Sequence, residues 1–267
     1  MDRQAKDTPI RLIQLTDTHL SEDSGEQLLG LDTRESLCDV LDLVNAIETN
    51  PDHLVVTGDV GGVGEPGSYQ CLLDLLAQHL PLPMNWLPGN HDGPADMLTA
   101  CPSACERVVE LGDWLLVLLD TSVAGHVHGH LKARELQSLG ATLARYPDRP
   151  TLVFMHHHPV PLDIRWLDGT QLDNADELFA LLALHKQVKA LSWGHVHQEF
   201  NGVKDGIQLI ASPSTCIQFA PQRDDFCLDK KMPGYRWYDL HSDGRFETGV
   251  HRVADKSYGI DYDSSGY

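Results

Sequence analysis

Five times in the first two-thirds of this chain, an apolar run of strand length stops directly at a polar cluster rich in Asp, Asn and His. The spacing predicts those strands at Ile10–Thr16, Leu54–Thr57, Asn85–Leu87, Thr151–Met155 and Val188–Ser192. Amphipathic patterns between them predict helices over Arg34–Ile47, Tyr69–His79, Lys132–Arg145 and Ala175–His185; Leu37, Leu41 and Val44 share one face of the first. Strands alternating with helices point to the α/β class. In open α/β sheets, ligands bind beyond the carboxyl ends of the strands, so five clusters placed there imply one shared site.

The remainder reads as β structure. Arg107–Glu110 and Trp114–Leu119 flank a hairpin turn at Leu111-Gly112-Asp113. Gln208–Ala211, Arg236–Leu240 and Glu247–Val253 lie around turns at Asp205-Gly206 and Asp243-Gly244. No internal repeat or low-complexity segment interrupts the chain, and the expectation is a single domain over residues 8–255. Residues 256–267, with Ser264, Ser265 and Gly266, are expected to form a loosely held tail.

Charge narrows the partners. With 20 Lys+Arg against 39 Asp+Glu, the net charge is −19, which repels polyanions and argues against nucleic acid. A phosphorylated small substrate needs a local cationic centre, which fixed metal ions supply. The N-terminal residues are polar, and Arg11 and Gln14 interrupt the first apolar run. Nothing approaches the roughly 20 apolar residues that span a bilayer, so a cytoplasmic protein without membrane contact is expected. The 6 cysteines fit that compartment as free thiols. Cys38 and Cys71 fall on helical core positions. Cys101 and Cys105, one turn apart, lack the second pair of a metal site and read as packing thiols; Cys216 and Cys227 carry no reading.

Each cluster has chemistry available. In Asp17-Thr18-His19, residues i and i+2 of an extended segment face the same way, so a carboxylate and an imidazole converge on one ion. Gly58 permits a sharp turn before Asp59, whose two oxygens suit a bridge between ions. Gly89-Asn90-His91-Asp92 offers an amide oxygen for a metal and an imidazole able to move a proton. His156-His157-His158-Pro159 ends the fourth strand, and Gly194-His195-Val196-His197 repeats the i, i+2 convergence. Any one of these is an ordinary polar turn when it stands alone; their shared order after strands is what singles them out. His126, His128 and His130, in a Gly-rich loop without a leading strand, read as an exposed or substrate-rim loop rather than a metal site.

The ordered set Asp-x-His, Gly-Asp, Gly-Asn-His-Asp, His, Gly-His-x-His resembles the calcineurin-like metallophosphoesterase superfamily. The segments LTDTHL, LLGLDTRES, WLPGNHD, HHHPVPL, GHVHQE, ASPSTCIQF and VHRVAD are similar to the bacterial class III 3′,5′-cyclic AMP phosphodiesterases, from near residue 12 to near residue 255. The resemblance implies a four-layer α/β/β/α sandwich of two mixed sheets flanked by helices. It implies two divalent metal ions: Asp17, His19 and His197 on one, Asn90, His156 and His195 on the other, and Asp59 bridging. His156 is preferred to His157 because it leads the triple where the strand ends. Asp92 is expected to orient its neighbours or simply to form the turn. A donor set of Asp, His and Asn without Cys suits Fe, Mn or Zn.

The activity implied is hydrolysis of 3′,5′-cyclic AMP to 5′-AMP, by in-line attack of a hydroxide held between the ions, with His91 as general acid. His19, Asn90, His91, His156 and His197 would contact the substrate, a small cyclic nucleotide, in a monomer or homodimer. A broad phosphodiesterase or phosphomonoesterase of the same fold is the alternative, because a metal clamp sees only a phosphoryl group. A non-enzymatic interaction module on this fold would be expected to have lost ligands, and every expected position is filled. Base selectivity falls to the loops Thr121–His130, Pro161–Asp168 and Pro213–Phe219, where Trp166 and Phe219 are candidates to stack a base, although an aromatic in such a loop more often serves packing.

Overall fold

Strand β1 (Ile10–Leu15) shows how the chain is organised, because its side chains alternate between two different cores. Ile13 and Leu15 face helices, whereas Leu12 faces a second sheet. Strands covered on both sides read as continuous apolar runs, which is why the sequence shows runs here and no polar-out alternation.

The computed structural model describes residues 8–23, 25–62 and 65–266. After β1 come α1 (Thr33–Ile47), β2 (His53–Val56), α2 (Pro66–His79), β3 (Met84–Trp86) and α3 (Pro94–Ala100). The next group is β4 (Val108–Leu111), β5 (Trp114–Leu118), α4 (Ala133–Arg145), β6 (Thr151–Phe154), α5 (Arg165–Asp168), α6 (Ala175–Leu182) and β7 (Val188–Trp193). The chain closes with β8 (Phe200–Lys204), β9 (Ile207–Ala211), β10 (Gln218–Phe219), β11 (Leu228–Asp229), β12 (Gly234–Leu240) and β13 (Phe246–Arg252). The expected strands and helices all form, with ends moved by a few residues. Helix α1 starts where it does because Asp32 caps it, its Oδ1 accepting from the N–H groups of Arg34 and Glu35.

The first sheet runs β13-β12-β1-β2-β3, with β1, β2 and β3 parallel and β12 antiparallel to β1. The second runs β4-β5-β6-β7-β9-β8, parallel from β5 to β9 with antiparallel edges. Between the sheets pack Leu12, Val55, Leu116, Leu118, Leu152, Phe154 and Tyr238. Outside the first, Leu37, Val40 and Leu41 of α1 and Leu72 of α2 cover Ile13, Leu15 and Val56. Outside the second, Leu139 and Leu143 of α4 and Leu178 and Leu182 of α6 cover Val117, Val153 and Leu191. The result is the α/β/β/α sandwich, and it aims β1, β2, β3, β6 and β7 at one end.

Three features differ from the sequence reading. Helix α3 was hidden by a glycine and a proline that look like a loop; Pro94 instead occupies the first helical turn, where its missing N–H does no harm. Strand β8, an edge with exposed positions and Gly202, lacks an apolar run. The tail, expected to be loose, is tied down over its first half. Tyr258 is buried and donates from its hydroxyl to Asp39 Oδ2 at 2.8 Å, while Lys256 Nζ lies 2.8 Å from Glu35 Oε1. The Asp261 N–H donates to Leu29 O at 2.9 Å. Tyr258 and Ile260 add apolar surface to the outer core of the second sheet, outweighing the small polar residues beyond them. All 6 cysteines are free thiols; Cys38 and Cys71 are half-buried. Among the described residues, no helix is long and apolar enough to cross a membrane.

Candidate metal centre

The loops leaving β1 and β2 run on as a paired ladder: Asp17 N–H donates to Gly58 O, His19 N–H to Asp59 O, and Leu20 N–H to Val60 O. Within them the backbone turns left-handed at Asp17 (φ 53°), His19 (43°) and Asp59 (50°), and again after β7 at His195 (66°) and His197 (45°). The i, i+2 pairs therefore converge through left-handed turns and not through extended strand, as the sequence reading assumed. Such a conformation costs a non-glycine residue on the order of 1–3 kcal/mol and persists where its surroundings hold it. Three glycines make the room. A Cβ on Gly58 would meet His156 Nδ1 at 2.7 Å, one on Gly194 would meet Asp17 Oδ2 at 2.8 Å, and one on Gly89 would strike the Asp59 carboxylate.

Asp17, His19, Asp59, Asn90, His156, His195 and His197 are brought together. His19 Nε2 lies 3.3 Å from His197 Nε2, and His197 Nε2 lies 3.4 Å from Asp17 Oδ1. His156 Nε2 lies 3.2 Å from Asn90 Oδ1. Asp59 Oδ2 stands between the two halves, 3.8 Å from His19 Nε2 and 3.1 Å from His156 Nε2. Its other oxygen accepts the His91 N–H at 2.9 Å, which fixes the carboxylate's orientation. Donors bound at about 2.1 Å around one tetrahedral ion sit roughly 3.4 Å apart, so these separations fit transition-metal coordination.

The far side of each imidazole is also held. His156 Nδ1 is 2.8 Å from Thr57 O and His197 Nδ1 is 2.9 Å from Ile217 O, so each Nδ1–H donates to a carbonyl and Nε2 keeps its lone pair. His195 Nε2 meets Thr170 Oγ1 at 2.7 Å, which leaves Nδ1 for the centre. The His195 N–H donates to both oxygens of Asp17 at 3.0 Å.

Burial of Asp17 and Asp59 would raise their carboxyls, but neighbouring imidazoles, chiefly His197 for Asp17 and His156 for Asp59, hold both below the usual range. Burial lowers His19 to about 3 and drives His195 well below its ordinary value, so both imidazoles stay neutral. His156 goes the other way, up to about 9: burial opposes the change and Asp59 overcomes it. Buried carboxylates with neutral imidazoles call for a cation, and the proton on His156 sits where one would compete with it.

His157 lies beside His156 and His195, but both its nitrogens are engaged, Nδ1 with Thr121 Oγ1 at 2.7 Å and Nε2 with Val127 O at 3.0 Å. Asp92 is an orienting group: it accepts from Gly89 N–H at 2.8 Å and Val60 N–H at 3.0 Å, and burial raises it to about 6. The His126–His130 loop is a rim, tied by His130 Nδ1 to Asp173 Oδ1 at 2.6 Å.

Above the centre opens a cavity of about 310 Å³. Asp59, Asn90, His91 and His195 form its floor, and Val127, Trp166, Leu167, Phe219 and Phe226 its walls. Phe219 takes the packing role and not the base-stacking one: its ring is buried flat against His197. Trp166 meets it edge-on, 5.0 Å away at 78°. Thr170, Thr121 and Phe226 had no signal in the sequence beyond lying in strand-end loops.

The calcineurin-like phosphoesterase family matches residues 10–199. The 3′,5′-cyclic adenosine monophosphate phosphodiesterase CpdA of Pseudomonas aeruginosa is 43% identical, over 98% of this chain and 97% of that protein. The protein of the same name from Escherichia coli K12 is 40% identical over the same shares. A dimetal phosphatase of Danio rerio, 14% identical, superposes with a TM-score of 0.68 over 96% of this chain and 100% of its own, a likeness of fold. The chain belongs to the calcineurin-like phosphoesterase family.

Proposed function

We propose that this calcineurin-like phosphoesterase hydrolyses 3′,5′-cyclic AMP to 5′-AMP with two divalent metal ions, Fe, Mn or Zn. One observation carries the two-ion reading: a single oxygen of Asp59 lies between His19 Nε2 and His156 Nε2. Asp17, His19 and His197 would hold one ion and Asn90, His156 and His195 the other, with Asp59 placed to serve both. The substrate is supported by relatives 43% and 40% identical over 98% of this chain, both 3′,5′-cyclic adenosine monophosphate phosphodiesterases. The ions, when bound, neutralise phosphoryl charge and lower the pKa of a water to make a nucleophile.

The protein's own groups do the rest. The His91 backbone is fixed by Asp59, and its ring stands edge-on to His19, centroids 5.1 Å apart, on the cavity floor. From there an imidazole N–H donates its proton to the 3′-oxygen as the P–O bond breaks, because a ribose alkoxide is a poor leaving group. Asn90, His91, His19, His156 and His197 surround the phosphate, while the apolar walls exclude water and receive the base. Free thiols throughout suit a cytoplasmic protein, acting as a monomer or homodimer.

The test is a substrate panel on metal-loaded protein: 3′,5′-cyclic AMP, 3′,5′-cyclic GMP, 2′,3′-cyclic AMP and an aryl monoester, with products identified. Cyclic AMP turned over to 5′-AMP is the expected result. Exclusive 3′-AMP, or brisk monoester hydrolysis beside inert cyclic AMP, would establish the broader phosphoesterase instead.

A further inference from the structure

Gly266, in what the sequence presents as a loosely held tail, lies on the cavity that holds Asp59, Asn90, His91 and His195. Its approach is built. Tyr258 and the Asp261 N–H anchor the segment to α1 and to Leu29, and a Cβ on Gly30 would meet Gly259 O at 2.5 Å, so the two backbones touch. The chain then turns: Asp261 Oδ1 accepts from Asp263 N–H at 3.1 Å, and Asp261 O from Ser264 N–H at 3.4 Å. Beyond the turn, Ser264 Oγ donates to Gly266 O at 2.9 Å.

We infer that the segment from Asp261 to Gly266 is a wall of the substrate cavity that confines it to small cyclic diesters and turns away linear, polyanionic ones. The inference rests on the phosphodiesterase reading above. A cyclic nucleotide carries both ester arms on one ribose and a single negative charge. A linear diester sends its second arm out of the site, and an oligonucleotide adds one charge per further phosphate. The tail reaches this space of about 310 Å³ through Gly266, and the segment that leads to it carries the exposed carboxylates of Asp261 and Asp263. Size and charge act in the same direction.

The experiment is a chain ending after Ile260, which keeps the Tyr258 anchor, compared with the full chain on cyclic AMP and on the linear dinucleotide pApA. The ratio of kcat/KM for pApA to that for cyclic AMP should rise at least ~10-fold on truncation, the order expected for relief of a steric block in a pocket. Metal content and melting temperature should be unchanged. An unchanged ratio overturns the inference, and so does a parallel loss on both substrates with loss of metal. A second measurement uses the intact protein: 5′-AMP should slow hydrogen exchange across residues 261–266, and no slowing overturns the inference. Should the full chain leave cyclic AMP untouched, the phosphodiesterase reading fails by itself, since exchange and pApA turnover still report on the wall.

Discussion

The ring of Phe219 lies flat on that of His197, with centroids 4.2 Å apart and planes 9° from parallel. Together with the bond from His197 Nδ1 to Ile217 O, this fixes the imidazole in tilt as well as tautomer. Phe219→Leu keeps the apolar volume but removes the plane. Outer contacts of metal ligands are worth about 10–100-fold in metal affinity. The variant should lose metal to a chelator at least ~10-fold faster than wild type, while Phe219→Tyr stays near wild type. Stopped-flow chelation measures both.

Asp59 serves both ions in the proposed centre, and Asn90 serves one. Asp59→Asn should cost more than about 10²-fold in kcat/KM and bring metal content below one ion per chain. Asn90→Ala should retain the ion on the His19 and His197 side. Elemental analysis beside kinetics decides it; two ions and near-normal turnover in Asp59→Asn would refute the bridge.

A general acid matters in proportion to how badly its leaving group needs a proton. His91→Ala should slow cyclic AMP hydrolysis by about 10²–10⁴-fold. Bis(p-nitrophenyl) phosphate releases a stable phenolate and should suffer much less, with both metals retained. Equal losses on the two substrates would remove His91 from proton transfer.

His158 is buried in a stack with His195, and neither ring nitrogen has a hydrogen-bond partner among the described residues. Burial first, then His156, lowers its pKa from 6.5 to about 3. Between those values the unfolded chain binds a proton that the folded one refuses. The stabilisation is therefore whole above 6.5 and is lost progressively as pH falls toward 3. In EDTA, where metal release plays no part, His158→Leu should flatten the fall of the urea midpoint between about pH 7 and 5. An unchanged slope would place the acid sensitivity elsewhere.

Strand ends were legible because a buried parallel strand must be apolar throughout, so the first polar residue marks where the sheet stops. That logic pointed to Asp17, Asp59, Asn90, His156 and His195, which the fold gathers at one end of the sheets. It is silent where a polar residue sits inside the sheets. Gln14 looked like an interruption of β1, yet it is fully buried between the layers. Its Oε1 accepts from Ser192, Ser212 and Tyr238, and its Nε2 donates to Thr57 Oγ1. Those partners come from distant parts of the chain, and no local pattern could announce them. Phe226 and Gly266 were missed for a related reason: both reach the cavity by the path of a loop, which depends on what the loop packs against. The left-handed turns at the ligands were hidden too, because Asp and His tolerate that backbone less readily than the glycines that advertise it.

The pairing of β1 with β12 has a consequence for how the protein is made. Ile10 pairs with Leu240, so β1 waits for the synthesis of a partner some 230 residues later before its open edge is covered. At about 5–20 residues per second, that wait is on the order of ten seconds or more. Through it, an apolar edge able to recruit a neighbouring chain stays uncovered. His195 and His197 emerge only shortly before the edge closes, so the nascent chain could not complete the proposed centre early. Chaperone dependence during synthesis, absent once the chain is released, is the cellular signature to look for.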